Sequence, residues 1–265
     1  MKPIKVVVHG ASGKMGREVI NNLCGHPEIE IMGAVELEVP NEFYLPLRDE
    51  CEAIPFSSNL DYILTTCQPD VLVDFTTAKA TMPAMRTATK HGVNLVIGTT
   101  GLTADELSEI DRLAIEHNVG AVVAPNFALG AVMMMHLAKI AAKYFDQAEI
   151  IELHHHKKAD SPSGTALSTA KAMAQARGRP FYHLPEQDKG SASRGEQVEG
   201  IIIHSVRLPG LLAHQEVILG APGQTLTIRH DTISRECYMP GVVLAIKEVS
   251  KHKGLVYGLD TLLGL

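Results

Sequence analysis

The feature that most constrains the fold stands at the start of the chain. Ile4-Lys-Val-Val-Val-His9 runs directly into Gly10-Ala-Ser-Gly13-Lys-Met-Gly16, and Arg17-Glu-Val-Ile-Asn-Asn-Leu23 follows in helical spacing. A short β-branched run of this kind suits a parallel strand buried on both faces. Strand, glycine turn and helix in this order open a dinucleotide-binding βαβ unit. Gly10 would allow the tight turn, Gly13 the approach of a pyrophosphate, and Gly16 close packing of helix on strand. The spacing is GxxGxxG, a variant of the more familiar GxGxxG, so the residues that follow carry much of the argument.

Glu30-Ile-Met-Gly-Ala-Val-Glu36 reads as the second strand, with Glu36 twenty residues after Gly16. An acid at this strand end can accept hydrogen bonds from the ribose hydroxyls of an adenine dinucleotide. Leu37 offers no charge to a 2′-phosphate, whereas Lys14 in the glycine loop could, so the expectation is NADH or dual use. Asp70–Thr77 and Val93–Gly101 read as further parallel strands, leading into helices near Ala78 and over Ala104–Asn118. Their carboxyl ends, Phe75-Thr76 and Gly98-Thr99-Thr100, fall where open α/β sheets bind ligands. Val119–Ala124 reads as another strand, and Pro125-Asn126-Phe127 then breaks the pattern and marks the exit from the first domain.

The second half has a different rhythm. A mostly apolar helix over Gly130–Phe145 includes Met133-Met134-Met135, expected to pack in the core. Ala148–Leu153 reads as a strand, and the pattern from Thr165 is helical until Gly178 and Pro180. Residues 182–198 are polar and read as a long loop. Gly200–Arg207, His214–Gly220 and Thr225–Asp231 have strand character, and Ala-Pro-Gly-Gln at 221–224 predicts an antiparallel hairpin between the last two. Pro240–Ser250 is helical in period, and a second short helix closes the chain. The fold class is therefore α/β plus α+β: an N-terminal Rossmann-like parallel-sheet domain with a second substrate domain on a mostly antiparallel sheet.

The chemistry concentrates in residues 152–166, Glu-Leu-His-His-His-Lys-Lys-Ala-Asp-Ser-Pro-Ser-Gly-Thr-Ala. Five possible proton carriers, His154, His155, His156, Lys157 and Lys158, precede a helix start at Ser163-Gly164-Thr165. A helix start offers unpaired N–H groups and a partial positive charge to a carboxylate or phosphate. Histidine exchanges protons near neutral pH, and lysine can be tuned by its surroundings. The competing readings are a metal site, for which no carboxylate or Cys completes a recognisable ligand spacing, and a solvated loop. Adjacency to the anion cradle favours catalysis on a small acidic substrate.

Composition excludes several other classes. The formal net charge of -6 argues against nucleic-acid binding. Cys24, Cys51, Cys67 and Cys237 are scattered without a CxxC pair, so reduced thiols are expected rather than a disulfide framework or zinc cluster. No window approaches eighteen uninterrupted apolar residues, which argues against a membrane span and toward a soluble, cytoplasmic protein.

The chain resembles the 4-hydroxy-tetrahydrodipicolinate reductase (dihydrodipicolinate reductase) family. The resemblance rests on Gly10-Ala-Ser-Gly-Lys-Met-Gly16, Asp74-Phe-Thr, Val96-Ile-Gly-Thr-Thr-Gly101, Asn126-Phe127 and, most specifically, Glu152–Ala166, all in the family's order. It implies hydride transfer from NADH or NADPH to a cyclic unsaturated dicarboxylate with loss of water, on the diaminopimelate route to lysine. By that resemblance His154 and Lys158 are the catalytic proton carriers, and His155, Ser163, Gly164 and Thr165 hold substrate carboxylates. Gly10, Ala11, Ser12, Gly13, Lys14, Met15, Glu36, Gly98, Thr99, Thr100, Ala124, Pro125, Asn126 and Phe127 match the cofactor contacts, and no metal is implied. It also implies a homotetramer built through the substrate-domain sheets and a C-terminal segment that returns to the cofactor domain. The expected division is 1–126 rejoined by 236–265, with 127–235 as the second domain. The alternatives are another two-domain dehydrogenase of an amino-acid-like acid, such as aspartate or homoserine, and a dinucleotide sensor without turnover.

Overall fold

The computed structural model describes residues 2–38, 44–45, 53–182 and 192–265. The chain divides into two compact units, Met1–Leu129 with Tyr238–Leu265, and Gly130–Cys237.

The first unit is built on an eight-stranded sheet. Its strands are β1 (Ile4–His9), β2 (Ile29–Val35), β3 (Tyr44–Leu45), β4 (Ile54–Ser57), β5 (Val71–Asp74), β6 (Asn94–Ile97), β7 (Gly120–Val123) and, from the chain's end, β13 (Gly254–Tyr257). Their order is β13-β7-β6-β5-β1-β2-β4-β3. All neighbours are parallel except the edge pair β3–β4. Val6, Val7 and Val8 of β1 are fully buried, as are Val71 and Val73 of β5. Helices α1 (Lys14–Leu23), α2 (Leu60–Cys67), α3 (Ala78–Lys90) and α4 (Ala104–Glu116) connect the strands. The C-terminal α7 (Met239–Glu248) and α8 (Leu259–Leu263) flank β13. This is the right order for a doubly wound dinucleotide fold, whose ligands sit at the carboxyl ends of the strands.

In the second unit α5 (Leu129–Ala141) and a short 3₁₀ turn lead to β8 (Gln147–His154). Helix α6 (Gly164–Arg177), β9 (Glu196–Val198), β10 (Ile201–Arg207), β11 (Ala213–Ala221) and β12 (Gln224–Thr232) follow. The five strands order as β12-β11-β8-β10-β9. The hairpin β11–β12 is antiparallel, as is β8–β11, while β8 and β10 run parallel. Ile150, Val217, Leu219, Ile201 and Ile203 pack with Ala166, Ala170 and Met173 of α6 into one core.

Four expectations need correction. Within 182–198, read as a loop, Glu196–Val198 forms a strand that pairs with Ile201–Ile203; residues 183–191 lie outside those described. Of the methionine run, only Met134 is buried, and Met133 is 40% exposed, because three consecutive helical positions cannot all face one core. The C-terminal run holds a strand, β13, between its helices. Cys24 is disulfide-bonded rather than reduced, whereas Cys67 and Cys237 are free thiols.

Candidate active site

The carboxyl end of the parallel sheet is organised from the glycine loop outward. Gly10 sits at φ +82°, and a Cβ there would lie 2.8 Å from the Phe75 carbonyl oxygen, so the turn demands glycine. A Cβ at Gly16 would lie 2.1 Å from the Gly10 carbonyl oxygen, which lets α1 start tight against the loop. Ala11 is buried, Met15 half-buried, and Ser12, Gly13 and Lys14 are exposed at the helix start. The Glu36 carboxylate closes over this loop. It accepts from the backbone N–H of Ser12 at 3.0 Å and from that of Leu37 at 3.0 Å.

Behind the loop lies a buried polar knot that sequence reading did not resolve. Asp74, 2% exposed, accepts from His9 Nδ1 (2.7 Å), Thr76 Oγ1 (2.8 Å), Thr99 Oγ1 (2.9 Å) and Thr81 Oγ1. Thr99 Oγ1 in turn accepts from the Thr76 N–H at 3.0 Å, and the Gly98 N–H donates to the Asp74 carbonyl at 2.8 Å. One carboxylate thus locks the ends of β1, β5 and β6 to each other, which satisfies donors that burial would otherwise leave costly. The Phe75 and Phe127 rings pack at 5.7 Å, and Ala124 is fully buried beside β6, its N–H donating to the Ile97 carbonyl at 3.0 Å. Asn126 Oδ1 caps the Ala128 N–H at 2.9 Å. Thr100 and Pro125 are solvent-exposed.

In the second unit the histidine segment begins on the last residue of β8. His154 shares a strand face with Glu152 by the two-residue period, and the fully buried Glu152 carboxylate meets His154 Nδ1 at 2.5 Å. Arg207 of β10 grips the same carboxylate with both terminal nitrogens, Nη1 to Oε2 at 2.8 Å and Nη2 to Oε1 at 2.7 Å. Ser163 donates its backbone N–H to Oε1 at 3.2 Å. Burial alone would raise the Glu152 pKa, but hydrogen bonds from His154, Arg207 and Ser205 outweigh it and bring it down to about 2. The carboxylate is therefore ionised under all ordinary conditions, with its charge matched by the Arg207 fork.

Ser163 caps α6, its Oγ accepting from the Ala166 N–H at 3.2 Å. Among the described residues nothing accepts from the N–H of Gly164 or Thr165, and a Cβ at Gly164 would meet only open space. The first turn of α6 is thus an accessible anion cradle. His155 is half-buried and begins a turn closed by the Lys158 N–H donating to its carbonyl at 3.1 Å. Lys158 Nζ pairs with Asp160 Oδ1 at 2.8 Å, and this hydrogen bond lowers the Asp160 pKa. The Asp160 carbonyl also accepts from Arg207 Nη2 at 2.7 Å. Arg207 therefore links the strand that carries His154 to the turn that carries Lys158. Glu152 lies two residues before His154 and is readable from that spacing, but Arg207 carries no local signal.

A family model described as the dihydrodipicolinate reductase N-terminus matches residues 4–127, and one for the C-terminus matches residues 130–263. The chain belongs to the dihydrodipicolinate reductase family. A 4-hydroxy-tetrahydrodipicolinate reductase of Dehalococcoides mccartyi is 59% identical over all of both chains. One from Moorella thermoacetica is 48% identical over 98% of each. Among solved structures, a dipicolinate-bound dihydrodipicolinate reductase from Paenisporosarcina sp. TG-14 superposes with a TM-score of 0.86 at 39% identity, over 97% of this chain and 98% of that one. As a member of this reductase family the chain is an NAD(P)H-dependent oxidoreductase, which agrees with its glycine loop and parallel sheet.

Ionisation of Glu152 also has a stability consequence. Its pKa falls from 4.5 to about 2 on folding, so its contribution is complete above the unfolded value and is lost as pH falls through the folded one. We expect about 3 kcal/mol of unfolding free energy to disappear across that acid range. Denaturant unfolding at neutral pH and near pH 2 checks this against Glu152→Gln, in which that share of the acid dependence should be missing.

Proposed function

We propose that the protein reduces 4-hydroxy-tetrahydrodipicolinate to tetrahydrodipicolinate with NADH or NADPH, releasing water, on the diaminopimelate route to lysine. The observation that carries this reading is the ion-locked segment from Glu152 to Thr165, which puts an oriented histidine and an open anion cradle on one carboxylate. Substrate carboxylates bind the Gly164 and Thr165 amides, with Ser163 capping the helix and His155 adding a polar contact. That clamp orients the ring for attack, a kind of preorganisation worth up to roughly 7–11 kcal/mol. His154 delivers the proton that accompanies hydride addition, and Lys158, steadied by Asp160, serves as the second proton donor.

The bound dinucleotide supplies the hydride. Gly10 to Met15 receive its pyrophosphate, Glu36 its adenosine ribose, and Gly98 to Thr100 with Ala124 to Phe127 its nicotinamide end. The Glu36 carboxylate already sits against the loop, and Leu37, 79% exposed, brings no positive charge, so NADH is accepted at least as well as NADPH. Replacing Glu36 by Gln removes a repulsive charge from any 2′-phosphate. It should shift the NADPH-to-NADH ratio of kcat/KM upward by about tenfold, and an unchanged ratio would take Glu36 out of cofactor choice. The protein assembles as a homotetramer through the five-stranded sheet, whose face away from α6 leaves Ile151, Leu153 and Ile218 only half-buried.

Dipicolinate titrated into the protein–NADH complex tests the substrate reading. Saturable binding that Thr165→Pro weakens, by removing one cradle N–H, is expected. Absence of binding to the intact protein would overturn the assignment of the cradle.

A further inference from the structure

We propose that Glu152 is a positioning residue for the reaction: by holding His154 at Nδ1 it makes Nε2 the nitrogen that exchanges the proton, and through Ser163 it ties that imidazole to the anion cradle. This rests on the reading of His154 as proton donor and goes beyond it by assigning how the donor is set.

The geometry is specific to each oxygen. Glu152 Oε2 takes His154 Nδ1 and Arg207 Nη1, while Oε1 takes Arg207 Nη2 and the Ser163 N–H. The guanidinium is itself fixed, since Nη1 also donates to the Val206 carbonyl and Nη2 to the Asp160 carbonyl, at 2.8 and 2.7 Å. A carboxylate clamped on both oxygens by a planar fork has one orientation, and a ring bonded to it has one as well. An anionic acceptor at Nδ1 keeps a proton on that nitrogen in both forms of the ring and stabilises the imidazolium. The imidazolium can then break its Nε2–H bond, give that proton to the substrate carbanion equivalent formed on hydride addition, and recover a proton from water. The Glu152 carboxylate stays ionised throughout. An amide at this position cannot stabilise the cation in the same way; in serine proteases the corresponding Asp-to-Asn change costs about 10⁴-fold in kcat.

A cycle of Glu152→Gln, His154→Gln and the double variant, with full-length protein and both cofactor and substrate saturation curves, tests the role. Glu152→Gln should lower kcat by about 10²-fold with the KM for NADH unchanged. In the His154→Gln background the same change should lower kcat no further, and only the substrate KM should rise, through the Ser163 contact. A double variant whose kcat falls by the product of the two single losses would mean that Glu152 does not act through His154. So would a Glu152→Gln protein with wild-type kcat. Should Glu152→Gln fail to fold, judged by thermal unfolding and NADH binding, Glu152→Asp keeps the charge one methylene further back and must give the same non-additivity. Wild-type protein without substrate-dependent turnover would instead refute the reductase reading, and this role with it.

Discussion

Replacing His154 by Gln is expected to cut kcat by about 10²- to 10⁴-fold, the share that a positioned general acid contributes. The affinity for NADH should stay within about threefold of wild type, because the glycine loop belongs to the other compact unit of the chain. Gln is close to His in size and can still hydrogen-bond Glu152, so the β8 end should keep its shape. It cannot release a proton. Stopped-flow and steady-state turnover, alongside a fluorescence titration with NADH, separate the two quantities. Near-normal turnover would remove His154 from the mechanism.

The second large effect lies in the other unit. Gly16→Val should reduce NADH affinity by at least about 100-fold, a loss of some 2.7 kcal/mol of binding. The first added carbon would lie 2.1 Å from the Gly10 carbonyl oxygen, 2.8 Å from its carbon and 2.9 Å from Ala11 Cα. All three atoms are backbone of the glycine loop, so no side-chain rotation relieves the overlap. The loop must open or α1 must back away, and overpacking of this kind costs about 1–3 kcal/mol of stability or more. Calorimetric titration with NADH and a thermal scan read the two consequences. A variant that binds NADH like wild type would show that the close approach of helix and loop is not needed for the cofactor.

How much of this was legible in the sequence depended on how local its cause was. The central strands β1, β5, β6 and β7 each carry a short apolar run, Val6–Val8, Val71–Val73, Leu95–Ile97 and Ala121–Val123, so the burial of these residues on both faces is written in the strands themselves. The capped start of α6 is equally local, set by Ser163 and the glycine after it. Elements defined by a distant neighbour were not legible. β4 is four residues at the sheet's antiparallel edge with Pro55 inside it. β13 is four residues between two helices and becomes a strand by lying parallel to β7. β9 is short and polar, and only its pairing with Ile201–Ile203 makes it a strand. The same limit applied in the site. The spacing of Glu152 to His154 could have been read from strand period alone. The Arg207 fork required the parallel register of β8 with β10, which aligns Arg207 with His154 across the two strands. The Asp74 knot likewise gathers His9, Thr81 and Thr99 from three separate segments, and nothing in any one of them announces the others.

The most direct test of the account is oxidation of NADH and NADPH followed at 340 nm (the reduced nicotinamide band), with substrate made in place from pyruvate and aspartate semialdehyde by the preceding synthase. The account predicts oxidation that depends on the synthase, with NADH used at least as well as NADPH. Folded protein that binds NADH yet leaves it unoxidised in the presence of that substrate would contradict it.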